Sequence, residues 1–149
     1  MVGLKTLHVV CAVLWLGNFV VTGVWSARAF ATRQTELRAF AAREILFTDA
    51  IFTLVFGTAV TVSGILLAGW EGVAMWETRW TRVALETVAG AGLVWLFVLL
   101  PLEVRLWRLS RQASSSAALR TAFVTWNVVG WLVTIALFGV IYLMLGKPA

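Results

Sequence analysis

The residues best suited to chemistry stand near the start of the chain, inside its first apolar stretch. His8 and Cys11 are the only histidine and the only cysteine. Spacings of three and four residues place a polar and aromatic series on one face of a helix: His8, Cys11, Trp15, Asn18, Thr22 and Trp25. An imidazole inside a membrane helix is either a ligand to a metal or haem or a hydrogen-bonding group between helices. Both interpretations of His8 stay open.

Two acidic residues, Glu86 and Asp49, also fall within apolar segments. Glu86 is at a depth similar to that of His8, and a carboxylate commonly orients a ligating imidazole through its second nitrogen. The alternative is an interfacial pair that helps two helices to pack. Asp49 is expected near the arginine-rich end of its helix, where an ion pair with Arg28 or Arg43 would hold two helix ends together.

Other chemistry is weakly represented. Cys11 lies one helical turn from His8, and thiolate with imidazole suits copper, but two ligands on one helix are too few to specify a site. A buried free cysteine also serves as a small apolar residue. The sequence has no nucleophile triad, phosphate loop or paired-carboxylate hydrolase motif, so hydrolysis and phosphoryl transfer are set aside.

These residues must be positioned by membrane helices. The chain of 149 residues is 61% hydrophobic and only 13% charged, far from the roughly 25% charged residues of a soluble domain. Four apolar segments reach the roughly 20 residues needed to cross a bilayer. The sequence predicts an all-α fold, one transmembrane domain over 1–149, as a four-helix bundle with helices at about 4–27, 47–70, 83–102 and 122–145.

The distribution of basic residues predicts the orientation of the bundle. The first and third connections carry eight arginines: Arg28, Arg33, Arg38, Arg43, Arg105, Arg108, Arg111 and Arg120. The opposite side has only Lys5, Arg79, Arg82 and Lys147. Positive charge collects on the cytoplasmic side, so we expect both termini to face outward, toward the periplasm, in a bacterial inner membrane. Because the basic residues are scattered between apolar segments, no nucleic-acid partner is expected.

Several motifs resemble known membrane proteins. The pattern Lys5-x-x-His8 followed by Trp15, Gly17 and Arg28 resembles the first helix of HemJ-type protoporphyrinogen oxidases and the related CopD-like membrane domains. Over most of its length the chain resembles a family of predicted four-helix membrane proteins of unknown function. The matching features are residues 4–9 with Lys5 and His8, residues 42–53 with Asp49, and residues 95–105.

The HemJ resemblance implies a b-type haem with His8 as an axial ligand, Lys5 beside it, and Trp15 and Glu86 as further residues of the site. The activity would be a membrane redox step such as porphyrinogen oxidation. Because the chain has no second histidine, the other axial ligand would be methionine, water, lipid or a neighbouring subunit.

Two further functions stay open. One is a non-catalytic accessory subunit of a larger respiratory or photosynthetic membrane complex, with tryptophans and small-residue stripes as contact surfaces. The other is a copper or small-solute permease that would have to oligomerise. The expected partners are the lipid bilayer and either further copies of the chain or a larger membrane complex.

Overall fold

The computed structural model describes residues 2–32, 34–112 and 117–147. Within these residues the chain forms four helical spans, Val2–Ala31, Thr35–Trp70, Arg79–Ser110 and Ala117–Gly146. Each is long and apolar enough to cross a membrane. The predicted all-α fold with four membrane-spanning helices is confirmed. Arg33, one of the arginines in the charge count, lies outside the described residues.

The helices are longer than the apolar segments that predicted them. The first helix continues to Ala31 and the second begins at Thr35, where the sequence predicted ends at about 27 and 47. The third span continues to Ser110 instead of ending at about 102. Hydropathy marks only the part of a helix that crosses the hydrocarbon, and the flanking Ala, Leu, Glu and Arg residues favour a helix in water as well.

Two of the spans are interrupted by π-helical turns. The second span consists of α2 (Thr35–Ile51), a π segment (Phe52–Gly57) and α3 (Thr58–Trp70). The third consists of α4 (Arg79–Val94), a π segment (Trp95–Leu99) and α5 (Leu100–Ser110). Pro101 has no N–H for the carbonyl four residues earlier, so the preceding turn adopts a wider bonding pattern. The first and fourth spans, α1 (Val2–Ala31) and α6 (Ala117–Gly146), are continuous.

The two halves of the bundle pack differently. We call the end with the α1–α2 and α5–α6 connections the arginine end and the other the terminal end. In the arginine half α2 packs on α5, and a core forms around Ile45, Leu106 and Ala122. In the terminal half α3 packs on α1, and α4 packs on α6. α1 also contacts α6 directly, so these two continuous helices join both halves.

Rings on α1 lie directly over glycines of the second span. A Cβ atom placed on Gly57 would be 3.0 Å from Cε2 of Trp15, and one on Gly64 would be 3.1 Å from Cε1 of His8. Both distances are shorter than ordinary van der Waals contact. Close approach of helices over glycine is typical of membrane proteins, and it fixes the rotation of α1 against the second span.

The outer surface of the bundle is apolar. Large side chains such as Val13, Phe97 and Leu132 are more than half exposed, as expected of residues that face lipid. Gly72, at φ 67°, ends the second span with a left-handed turn. Beside it Lys5 Nζ contacts Glu71 Oε1 at 2.6 Å and ties the start of α1 to the end of α3.

Candidate functional site

The first polar site, which we call the histidine contact, joins α1 to α3. Nδ1 of His8 lies 2.9 Å from the hydroxyl oxygen of Ser63. Ser63 is buried, whereas His8 is half-buried. The contact lies in the terminal half of the bundle, one helical turn from Lys5.

The hydrogen bonds around Ser63 assign the protons of His8. The Ser63 hydroxyl donates its only proton to the carbonyl of Ala59, so its oxygen accepts from Nδ1–H of His8. His8 also bonds to the carbonyl of Val60, and a carbonyl can only accept. A neutral His8 therefore carries its lone pair on Nε2, the nitrogen available to bind a ligand.

The other residues predicted for a haem site do not gather around His8. Lys5 contacts Glu71. Trp15 packs over Gly57, two helical turns along α1. The exposed Glu86 carboxylate lies 4.0 Å from Arg82 on its own helix. The structure therefore offers His8 as a single ligand, without the surrounding set that the resemblance implied.

Cys11 is buried, 4% exposed, on the same helix. Among residues 2–32, 34–112 and 117–147, no three histidine, cysteine or acidic side chains form a cluster that could hold a metal ion. A metal bound at His8 would need ligands from outside these residues.

The second polar site lies in the middle of the bundle and is built around Asp49. Asn18 Nδ2 donates to Asp49 Oδ1 at 2.7 Å, and the Asn18 carbonyl accepts from Thr22 at 3.2 Å. Asn18 is the 17th of the 30 residues of α1, so the site is about 20 Å from either end of that helix at 1.5 Å per residue.

The structure places Asp49 differently from the expected ion pair. Asp49 is 3% exposed and bonds to neutral and acidic partners on other spans. Arg43 bonds instead to Glu44 on its own helix, and Arg28 is exposed. Within the described part of the chain no ion pair joins Asp49 to an arginine. Because α2 extends beyond the membrane, Asp49 lies 14 residues inside the helix and not at its end.

Glu103 completes this second site. Its carboxyl group hydrogen-bonds to that of Asp49, and its Oε1 accepts from Nε1 of Trp126 at 3.2 Å. Glu103 is fully buried, with 0% exposure. We call Asp49 and Glu103 the carboxyl pair; α1, α2, α5 and α6 all contribute to holding it.

A bond between two carboxyl groups requires a proton. Ionised carboxylate oxygens are acceptors only, so two of them can bond to each other only through a proton that one group carries. Two adjacent negative charges in a membrane interior would also repel each other and lose their hydration. The arrangement is therefore a one-proton site shared by two side chains.

A small cavity lies against the Asp49 side of the carboxyl pair. Its volume is about 20 Å³, and α1 and α6 contribute most of the wall, including Thr22, Asn127 and Thr134. Nδ2 of Asn127 is buried, and no acceptor among the described residues reaches it. The Glu103 side is covered by Trp126, which is 5% exposed.

Comparison with known proteins places the chain in a family. A family model described as "predicted integral membrane protein (DUF2269)" matches residues 2–148. The chain belongs to this family. No curated protein and no solved structure matches the chain. The predicted membership in a family of membrane proteins of unknown function is confirmed, and the further likeness to HemJ-type and CopD-like proteins stays a prediction.

In this family member, sequence reasoning missed Glu103. The third apolar segment was drawn to residue 102, so Glu103 was assigned to a connection. A signal was present in the spacing: Trp95, Leu99, Glu103, Leu106 and Ser110 follow in steps of three and four, and all five are buried. Extending the helical stripe beyond Pro101 would have placed Glu103 on the buried face.

Proposed function

We propose that this membrane protein binds and releases a proton at the carboxyl pair, inside the bilayer. The observation that carries the proposal is the hydrogen bond between two buried carboxyl groups, Asp49 and Glu103, from different spans. Ionisable groups within a membrane are rare, and they mark proton relays and ion pathways.

The cost of the arrangement supports a function beyond packing. Burying acidic groups costs free energy that apolar residues of the same volume would not require. Asn18 and Trp126 each donate to one carboxyl group. These donors stabilise negative charge, so they also support the state in which the pair has released its proton.

Infrared spectroscopy of the reconstituted protein tests this proposal. A protonated carboxyl group has a C=O stretching band that an ionised carboxylate lacks. We expect a pH-dependent band in the wild type that is lost or displaced in both Asp49→Asn and Glu103→Gln. Glu77→Gln, an exposed residue of the α3–α4 connection, is the matched control and should leave the band unchanged. A wild-type spectrum with no change in any of the variants contradicts the proposal.

A second candidate function is membrane redox chemistry with haem b at His8. The observation that favours it is the fixed Nδ1–H of His8, which leaves Nε2 free in the way that a ligating imidazole requires. Bound haem would supply one-electron chemistry. Here Ser63 and Val60 orient the imidazole, and Gly64 makes room for it.

Absorption spectra of gently purified protein, oxidised and dithionite-reduced, test the redox candidate. A Soret band with reduced b-type peaks that disappears in His8→Ala would support it, and Cys11→Ala is the control on the same face of α1. A colourless protein, equally folded with and without His8, contradicts it.

The location and assembly of the protein belong to the same proposal. The arginine distribution supports a bacterial inner membrane with both termini in the periplasm. In a Cys11→Ala background, external labelling of Gly146→Cys in intact cells is expected, and exclusive labelling of Ser115→Cys would reverse the orientation.

The alternative of an accessory subunit in a homo-oligomer or larger complex is favoured by one surface. An open groove of about 380 Å³ lies between α4 and α6 and is lined by small and apolar residues such as Gly90, Ala91 and Ala136. Native electrophoresis of a mild detergent extract tests it. A single species of fixed stoichiometry supports a complex, and migration as one chain contradicts it.

A further inference from the structure

We infer that the cavity beside Asp49 is a binding site for one water molecule, which carries protons to and from the carboxyl pair and is held there by Asn127. This inference rests on the proposed function. It adds the side from which the pair is reached and the residue that positions the carrier.

The size of the cavity fits this ligand. Its volume of about 20 Å³ exceeds the roughly 10–15 Å³ needed for one water. A hydrated metal ion or an organic molecule needs several times this space.

The chemistry of the wall also fits water. Asn127 offers a buried N–H group that meets no acceptor among the described residues, and buried donors in native proteins are almost always paired. Thr22 and Thr134 donate their hydroxyl protons to Asn18 and Gly130, which leaves lone pairs on both oxygens. A water can therefore accept from Asn127 and donate to Asp49 and to a threonine, within the usual two to four partners.

The position of the cavity gives the pair one accessible side. Asp49 lines it, whereas Glu103 faces the buried indole of Trp126. A proton leaves by passing from the Asp49 carboxyl group to the water oxygen as the water passes another proton onward. The water is unchanged by this exchange, and the pair is left with one proton fewer. Asn127 is a positioning residue, since it holds the water and takes no proton itself.

The first experiment measures the rate at which the shared proton is replaced by deuterium. After transfer of the reconstituted protein to D₂O, the C=O band of the carboxyl pair should shift as exchange proceeds. Asn127→Leu keeps the side-chain volume but removes the amide, and we expect exchange at least about tenfold slower because the site no longer favours water. Asn127→Ser keeps a donor and should exchange as fast as the wild type.

Thr125→Leu is the matched control, because this exposed residue lies on the same helix two positions away. It should exchange at the wild-type rate. Equal rates in Asn127→Leu and the wild type would overturn the water site while leaving the carboxyl pair intact. Absence of any pair-dependent carboxyl band in the wild type would instead overturn the proposed function, and this inference with it.

A second measurement needs no variant and therefore does not depend on whether Asn127→Leu folds. Difference spectra of the wild type between low and high pH are recorded in H₂¹⁶O and in H₂¹⁸O. We expect an O–H stretching band that shifts with the oxygen isotope and appears together with the carboxyl change. A carboxyl change with no isotope-sensitive water band would overturn the inference.

Discussion

The carboxyl pair and the histidine contact are both polar sites anchored on α1, but they are built in different ways. The carboxyl pair is held by side chains from all four spans, and its members are 3% and 0% exposed. The histidine contact joins only α1 and α3, and His8 remains half-buried. The two sites are two to three helical turns apart along the same helix.

The difference follows from packing in the two halves of the bundle. Where α2 packs on α5, each carboxyl group is removed from lipid and water, and its partners are other side chains. Where α3 and α4 pack on separate continuous helices, a polar side chain keeps one edge free. The first environment suits a proton, which needs little space, and the second suits a ligand that approaches from outside.

The largest expected effect is that of Glu103→Ala. It removes a fully buried side chain, leaves Nε1 of Trp126 without its acceptor, and leaves the Asp49 carboxyl group without its partner. Cavity formation and lost hydrogen bonds together should destabilise the protein by about 3–5 kcal/mol. Thermal unfolding in detergent, followed by tryptophan fluorescence, measures the loss.

Glu103→Gln is the control for Glu103→Ala, because it keeps the volume and an acceptor for Trp126. It should lose less than about half as much stability. Equal losses in the two variants would mean that the negative charge, and not the filled space and the bond to Trp126, stabilises this half of the bundle.

The glycine contacts give the next largest effect. Gly57→Ala would bring a methyl group within 3.0 Å of the Trp15 ring, and overpacking of this kind costs about 1–3 kcal/mol. Gly69→Ala, on the same span with nothing within 4 Å of the new Cβ, should be neutral or stabilising because alanine favours helix. A gain in thermal stability for Gly57→Ala would contradict the close contact between α1 and the second span.

Much of the fold could be predicted because the membrane imposes it. Apolar runs of sufficient length must be helices in lipid, so the number of spans follows from hydropathy. The helix ends could not be predicted in this way, since α2 begins at Thr35 in sequence that is no longer apolar. The turn at Phe52–Gly57 carries no proline, and nothing in its residues distinguishes it from an α-helix.

The candidate sites were only partly predictable. The face that holds His8 and Asn18 follows from helical spacing, and Asn18 does bond to Asp49. Spacing along one helix does not show which residue of another helix lies opposite, so Glu86 was placed near His8 although Ser63 occupies that position. Glu103 was missed because one residue separated it from the predicted end of the third segment.

Ser63→Ala sharpens the comparison at the histidine contact. It removes the hydroxyl that fixes Nδ1–H of His8, and the loss of one hydrogen bond at a half-buried site should cost about 1 kcal/mol. Ser26→Ala is a suitable control, because Ser26 is also buried but bonds only to Gly23 of its own helix. Thermal unfolding of both variants checks the difference, and equal midpoints would mean that the bond between His8 and Ser63 contributes nothing to stability.

The smallest effect concerns the ion pair that holds the terminal end closed, beyond the histidine contact. A hydrogen bond from Lys5 and its positive charge lower the pKa of Glu71. The pair's contribution is therefore present above the ordinary glutamate pKa of about 4.3 and is lost as the pH falls through the lower value of the folded protein. Because the pair is solvent-exposed, the contribution is small. The unfolding midpoints of the wild type and Glu71→Gln should differ slightly at neutral pH and converge in acid. A difference that grows in acid would mean that Glu71 interacts with something other than Lys5, and the terminal end would then be closed by a contact that the carboxylate does not make.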